Sequence, residues 1–419
     1  MNKRHQLNKT LLALSIGVAS GLVSQQSMAA GFQLNAQSAT GIGRAFAGDA
    51  VIADNASVMA RNPAAMSLFD KKALSLGFEV LETKIEVKDA TYTGLLNNEY
   101  ALEDSDSIGD TSIAPNLHFI MPLNDKISLG ANIYSNFGTK TEFEDDYIAT
   151  EYGGITDLKT LNFGFSGSYR LNEKLSLGAG VDLIYAQGTI KRELTTITES
   201  SLVNVDEADG WGVGLNTGLV YEVSDNHRYG LSYRYSPEIT AEDDAGQEVT
   251  IALPDMAEFS GYHRLDNSKF AFHYSIQWIK WSEFENLEFD SLDVTQSVLG
   301  AGDGSYDKAY QWQDGWHYSI GTTMYLNEKW TLRAGYMYDT SAQDELKSIS
   351  VPDSDRQWFS SGFSYQLSKA SSIDFGFTYL MGEDQDVTEE TQIGAASTRV
   401  IATTRADAIL YGLQYNREF

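Results

Sequence analysis

From about residue 70 to its end the chain alternates. In 161–171, Leu161, Phe163, Phe165, Tyr169 and Leu171 take the odd positions, with Asn162, Ser166, Ser168 and Arg170 between them. Phe270, Phe272, Tyr274, Ile276 and Trp278 do the same against Ala271, His273, Ser275 and Gln277. So do Trp330–Tyr338 and Ile373–Tyr379. A period of two predicts strands with one apolar, aromatic-rich face. No apolar run beyond the extreme N-terminus reaches the roughly 18–20 residues of a membrane helix. The mean hydropathy of −0.28 still suits a membrane barrel, whose strands show lipid only every second residue. A soluble β-sandwich alternates too. Three features favour the barrel: an export leader, aromatics loaded on the apolar face as in interfacial girdles, and a last strand (Ile409, Tyr411, Leu413, Tyr415) running to a terminal Phe419.

The leader spans residues 1–29. Lys3, Arg4 and Lys9 form its positive start, Leu11–Val23 its apolar centre, and Ser27-Met28-Ala29 a small-residue cleavage site. The chain is therefore expected outside the cytoplasm, in the outer membrane of a Gram-negative cell.

Turn chemistry counts the strands. Leu123-Asn124-Asp125-Lys126, Leu171-Asn172-Glu173-Lys174 and Leu326-Asn327-Glu328-Lys329 repeat one pattern, and looser versions lie at 224–227, 265–268 and 367–370. Asn, Asp and Ser suit tight reversals. Between these six short turns lie seven long polar stretches, about 88–110, 144–157, 193–208, 240–255, 282–309, 341–355 and 383–404. Thirteen connections predict an all-β fold of fourteen antiparallel strands over residues 71–419, with both termini on the short-turn, periplasmic side.

Residues 30–70 do not alternate and are rich in Ala, Gly, Ser and Asn. Forty residues cannot build a core of their own, whereas a fourteen-stranded lumen is too wide for its side chains to fill. This segment is expected inside the barrel as a small helical plug. Gly41-Ile42-Gly43-Arg44 looks like a phosphate loop, but no strand precedes it and no Lys-Ser/Thr follows.

Composition removes other classes. With no Cys there is no disulfide scaffold or thiol nucleophile. A net charge of −28 repels nucleic-acid phosphates. Acids such as Glu144-Asp145-Asp146 and Glu242-Asp243-Asp244 predict a solvated outer surface, or one that meets anionic lipopolysaccharide through divalent cations. No cofactor or metal is expected. A lipase lacks a nucleophile motif, and a water-filled porin would lack a plug.

Ala30-Gly31-Phe32-Gln33-Leu34-Asn35, Gly41-Ile42-Gly43-Arg44-Ala45, Ala53-Asp54-Asn55-Ala56 and above all Arg61-Asn62-Pro63-Ala64 resemble the FadL outer-membrane long-chain fatty acid transporters. Asn116-Leu117-His118-Phe119, Asn136-Phe137-Gly138, Ile190-Lys191-Arg192, Leu253-Pro254-Asp255-Met256 and Ser350–Arg356 extend the similarity through the mature chain. The resemblance implies a monomeric, hatch-plugged barrel. Its third strand kinks inward and opens the wall, so that apolar ligand leaves a lumen pocket sideways into the membrane. Long-chain fatty acids, or other hydrophobic compounds such as aromatic or aliphatic hydrocarbons, are the expected cargo.

The resemblance places Ile190 and Arg192 in that pocket; parity puts both inward. There Arg192 either binds a carboxylate bidentately or pairs with a wall acid. The family's second cation comes from the loop before strand ten. Gly300-Ala301-Gly302-Asp303-Gly304 supplies none, and Lys308 is nearby, as a ligand or as a solvated loop residue. Phe32 reaches into the pocket or anchors the plug. Asn62, Pro63 and Ala64 form a hatch turn expected beside the wall gap. Gly138 permits the bend at the end of the third strand's alternation. Asp339 points inward, to hold the hatch or simply to line the lumen.

Overall fold

The computed structural model describes residues 31–419 except 36, 195–199, 294–303 and 394. The predicted leader, Ala30 and the glycine-rich stretch Gly300–Asp303 therefore lie outside the described residues. The chain forms fourteen antiparallel strands closed into a barrel. The first strand is Ala73–Thr93, the second Thr111–Pro122, and the third Ile127–Tyr134, resumed over Gly138–Glu142. The fourth to sixth are Ile155–Arg170, Leu175–Leu194 and Ser200–Ser224. Four interrupted strands follow: His227–Tyr235 with Glu238–Glu242, Glu248–Ala252 with Met256–Arg264, Phe270–Ile279 with Asn286–Asp290, and Tyr306–Ala309 with Gly315–Tyr325. The last four are Trp330–Asp339, Arg356–Ser368, Ser371–Gly382 with Gln385–Ile393, and Ala396–Glu418. The first strand pairs with the last from Ala73↔Glu418 upward, so the sheet closes on itself and neither terminal strand presents a free edge to the bilayer.

All six short turns fall where the sequence predicts them. In three of them one asparagine does the work. Asn124 Oδ1 accepts from the backbone N–H of Lys126 and Ile127. Asn172 and Asn327 repeat the arrangement with Lys174 and Leu175, and with Lys329 and Trp330. The long stretches differ from expectation. Much of 193–208 and 383–404 is strand, paired as Ile190↔Val205 and Gln385↔Thr404. Val203, Val205 and Ala208 in the first, and Val387, Val400 and Ala402 in the second, are buried in the apolar interior, while polar residues such as Asn204, Asp206, Thr388 and Glu390 alternate with them outside.

The leading segment fills the lumen. It carries the short helices Ala39–Ile42 and Val58–Arg61 and the 3-10 turn Pro63–Leu68, and nearly all of it is buried. Ion pairs hold it together and to the wall. Arg44 binds Asp49 and Asp54 at 2.8 and 2.7 Å, and Arg333 of the eleventh strand reaches Asp54 at 3.0 Å. Arg234 of the seventh strand pairs with Asp182 and donates to Ala60 O.

Candidate ligand-binding site

The third strand breaks over Ser135–Phe137 and resumes at Gly138. Below the break it pairs with the second strand, from Leu117↔Ile133 to Pro122↔Ser128. Above it, the second strand keeps only the first as partner, up to Glu82↔Thr111. Gly138–Glu142 keeps only the fourth. The wall is thus unpaired between Thr111–Asn116 and Gly138–Glu142. A cavity of about 510 Å³ lies there, with Ile113, Ala114, Gly138 and Thr139 among its lining. Its upper rim is closed by Glu142 N–H donating to Ile108 O and by Lys140–Asp110 at 2.6 Å.

The kink frees backbone groups that must find partners. The plug supplies them: Leu34 N–H donates to Asn136 O at 2.6 Å, and Gly138 N–H to Phe32 O at 3.1 Å. On the other side Phe137 N–H donates to Thr160 Oγ1. The same short pairing therefore fixes the bend and positions Phe32.

Phe32 sits in an aromatic box, with ring centroids 4.7 Å from Trp281, 5.7 Å from Phe284 and Trp312, and 6.4 Å from Phe137. Beside it, a cavity of about 30 Å³ is lined by Phe32, Ile190, Arg192 and Lys308. The four residues picked from the sequence as ligand contacts meet at one place. A second cavity of about 20 Å³ shares Phe32 and Leu158 with the first, and shares Phe137, Gly138 and Leu158 with the wall opening.

Arg192 is buried. Its guanidinium donates to Ile155 O, Lys191 O and Thr156 Oγ1, all neutral. No carboxylate pairs with it among the described residues, so a wall-acid partner is not found. Lys308 is not a solvated loop residue: its side chain lies within 3.1 Å of Glu389 and over the Tyr310 ring. Register places it on a strand extension beside Asn286–Asp290, and paired backbone carries it inward.

Asn62, Pro63 and Ala64 occupy a different seat from the one expected. Asn62 Oδ1 caps the 3-10 turn by accepting from Ala64 N–H, and its Nδ2 donates to Ala50 O and to Leu219 O of the sixth strand. The turn presses on the cross-strand pair Gly178↔Gly218. A Cβ on Gly178 would meet Ala64 N at 2.3 Å, and one on Gly218 would meet Asn62 Oδ1 at 1.9 Å. These glycines lie toward the short-turn end of the barrel, near the turns at 171–174 and 224–227, rather than beside the wall opening. Asp339 is fully buried and reaches the plug through Arg356, which donates to Asp339 Oδ2 and to Gly31 O. Sequence reasoning missed Trp281, Phe284, Trp312 and Glu151. Three bulky aromatics within or bordering a stretch read as polar loop were the available signal.

The model of the outer membrane protein transport family OMPP1/FadL/TodX matches residues 20–419. The chain belongs to that family. Relatives of this FadL-family chain include the long-chain fatty acid transport protein of Salmonella typhi, 36% identical over 91% of this chain and 94% of the relative. Outer membrane protein P1 of Haemophilus influenzae is 34% identical over 99% and 100%. Among solved structures, a Pseudomonas aeruginosa FadL homologue superposes with a TM-score of 0.80 at 20% identity, covering 93% of this chain and 100% of that one. The Pseudomonas putida toluene transporter TodX gives 0.62 at 19%, covering 87% and 94%; both likenesses speak to the fold. This FadL-family barrel is an outer-membrane transport protein, not an enzyme.

Proposed function

We propose that the protein takes up long-chain fatty acids passively across the Gram-negative outer membrane. The observation that carries this reading is Arg192: a buried guanidinium with only neutral acceptors, at the end of an apolar, aromatic-lined pocket. A buried unpaired charge is costly, and a ligand carboxylate relieves that cost. Each buried CH₂ contributes about 0.8 kcal/mol, so an acyl chain gains on the order of 10 kcal/mol before ordering costs. The small pocket cavity requires the ligand to displace side chains, Phe32 first. Ligand then passes to the wall opening and leaves sideways into the bilayer. The shared lining of the three cavities supports this route.

In this reading residues 1–29 are removed on export, 30–70 act as hatch and 71–419 as barrel. The protein works as a monomer, its acidic outer loops facing lipopolysaccharide. One observation favours aromatic hydrocarbons as further cargo: the box of Trp281, Phe284 and Trp312 already holds a phenyl ring, that of Phe32.

The test is uptake of labelled oleate by cells lacking their own transporter. Wild type should restore uptake. Ala114→Trp combined with Thr139→Trp, which fills the wall opening from both edges, should abolish it while the barrel still assembles. Wild-type uptake by the double variant would refute the sideways route. No uptake by wild type would refute the cargo.

A further inference from the structure

The pocket holds a third charged side chain. Glu151, in the connection between the third and fourth strands, lines the same cavity as Arg192 and Lys308. It is only 6% exposed. Its Oε1 accepts from Tyr92 Oη–H at 2.6 Å, while Oε2 is buried with no hydrogen-bond partner among the described residues. No ion pair joins it to Arg192 or Lys308 among those residues. A buried carboxylate with one bare oxygen costs the fold unless a proton or a donor reaches it.

We propose that Glu151 is part of the headgroup site, and that a fatty-acid carboxylate binds there together with one proton, shared between the ligand's oxygen and Glu151 Oε2. The inference rests on the fatty-acid reading above and adds the rule by which the head is recognised. A ligand anion placed against Arg192 also enters the field of Glu151. Two carboxylates confined to one site do not both stay ionised. The complex therefore takes one proton from solvent: ligand anion, proton and protein combine, and no bond is made or broken beyond that transfer. The other charged and titratable groups around Glu151 do not replace this proton. Lys308 is already engaged by Glu389. Tyr92 already donates to the other oxygen, and Tyr152 donates to Thr398 O. Tyr147 lies on Glu151's own connection, and Tyr306 and Tyr310 line the cavity beside Lys308; burial pushes the Tyr147 and Tyr306 hydroxyls above their ordinary range. Burial also pushes the Glu151 carboxyl above its ordinary range.

The sign follows. Where Glu151 is ionised in the free protein and neutral in the complex, affinity for a carboxylate falls as pH rises, by at most tenfold per pH unit. The experiment uses the full mature protein in detergent, with laurate and methyl laurate as probes, titrated calorimetrically between pH 6 and 8.5 in buffers of different ionisation enthalpy. Laurate should take up close to one proton above the Glu151 midpoint and weaken with rising pH, and methyl laurate should do neither. Glu151→Gln, of the same shape, should bind laurate without proton uptake and with a flat profile. Saturable, Arg192-dependent laurate binding with no proton uptake by wild type would overturn the proposal and leave the fatty-acid reading standing. So would equal pH profiles in wild type and variant. No saturable laurate binding at any pH would bring down both. The proton count is measured on the wild type, so it decides the matter even if the variant fails to assemble.

Discussion

A charged group buried against neutral partners is a poor investment for stability alone, and Arg192 is the plainest case in this lumen. Arg192→Gln keeps some donors and removes the charge. A hydrogen bond to a charged group is worth about 1.5–3 kcal/mol, so laurate affinity should fall roughly 10- to 100-fold. Methyl laurate should bind as before, and the melting temperature should hold or rise. Titration of tryptophan emission reads this directly, since Trp281 and Trp312 flank the pocket; equal losses for acid and ester would remove Arg192 from the headgroup role. Phe32 makes the complementary point. Truncating a buried Phe costs about 3–5 kcal/mol, here localised where Phe32 O and Leu34 N pair with the kink. Phe32→Ala should therefore speed hydrogen exchange at Leu34 and Gly138 by orders of magnitude, while amides of the distant sixth strand stay unchanged.

At the level of elements, one device recurs at three outer corners. Asp255 accepts from Tyr233 Oη–H and from Ser236 N–H. Asp355 does the same with Tyr338 and Ser341, and Asp314 with Trp278 Nε1–H and Ser282 N–H. Each aspartate stands at the foot of one strand and ties the end of an earlier one, satisfying a backbone donor where the ladder stops. Asp255→Ala removes both bonds and leaves a buried Ser236 N–H unpaired, a cost of about 1–3 kcal/mol. Faster exchange at Ser236, with the Asp355 corner unaffected, is the expected outcome. What could be read in advance divides along the same line. The asparagine turns were legible because their bonds span two or three residues. The parity of Ile190 and Arg192 was legible because the strand carries it. The corners, the seat of Asn62 and the place of Glu151 were not, because each depends on residues far away in the chain. Gly218 lies 156 positions beyond Asn62, and nothing local to either announces that a missing Cβ on one is the socket for the other. The strand extensions escaped notice for another reason: their apolar residues, such as Val203, Val205, Val387 and Val400, are buried in the interior, and the outward apolar, aromatic-rich face that reveals a lipid-facing strand is absent there.

For the molecule as a whole, the question is what keeps a cylinder of this size shut. Two kinds of restraint hold the plug. Charge pairs such as Arg333–Asp54 and Arg61–Glu258 cross from wall to plug, and ion pairs shielded from water are screened little by salt. Wall glycines let the plug backbone approach too closely for any side chain: a Cβ on Gly335 would lie 2.0 Å from Arg44 O. The second restraint can be broken without touching charge. Gly218→Leu cannot be seated with the Asn62 side chain in place, because its first side-chain atom already overlaps Asn62 Oδ1, so that side chain must swing away, giving up its bonds to Ala64 N–H and Leu219 O and loosening the Asn62–Ala64 turn from the sixth strand. The barrel's own pairing is untouched. In planar bilayers wild type should pass almost no ions, whereas Gly218→Leu should show steady openings and retain heat-modifiable migration in electrophoresis. Gly167→Leu is the control. That glycine faces outward, where a Cβ meets nothing nearer than Leu129 Cδ2 at 3.6 Å, so it should remain as quiet as wild type. Silence from Gly218→Leu would place the barrier outside the plug, in the connections that fold over the mouth, such as Phe143–Tyr152. The Phe32 pocket would then be reached from a lumen that the leading segment does not close.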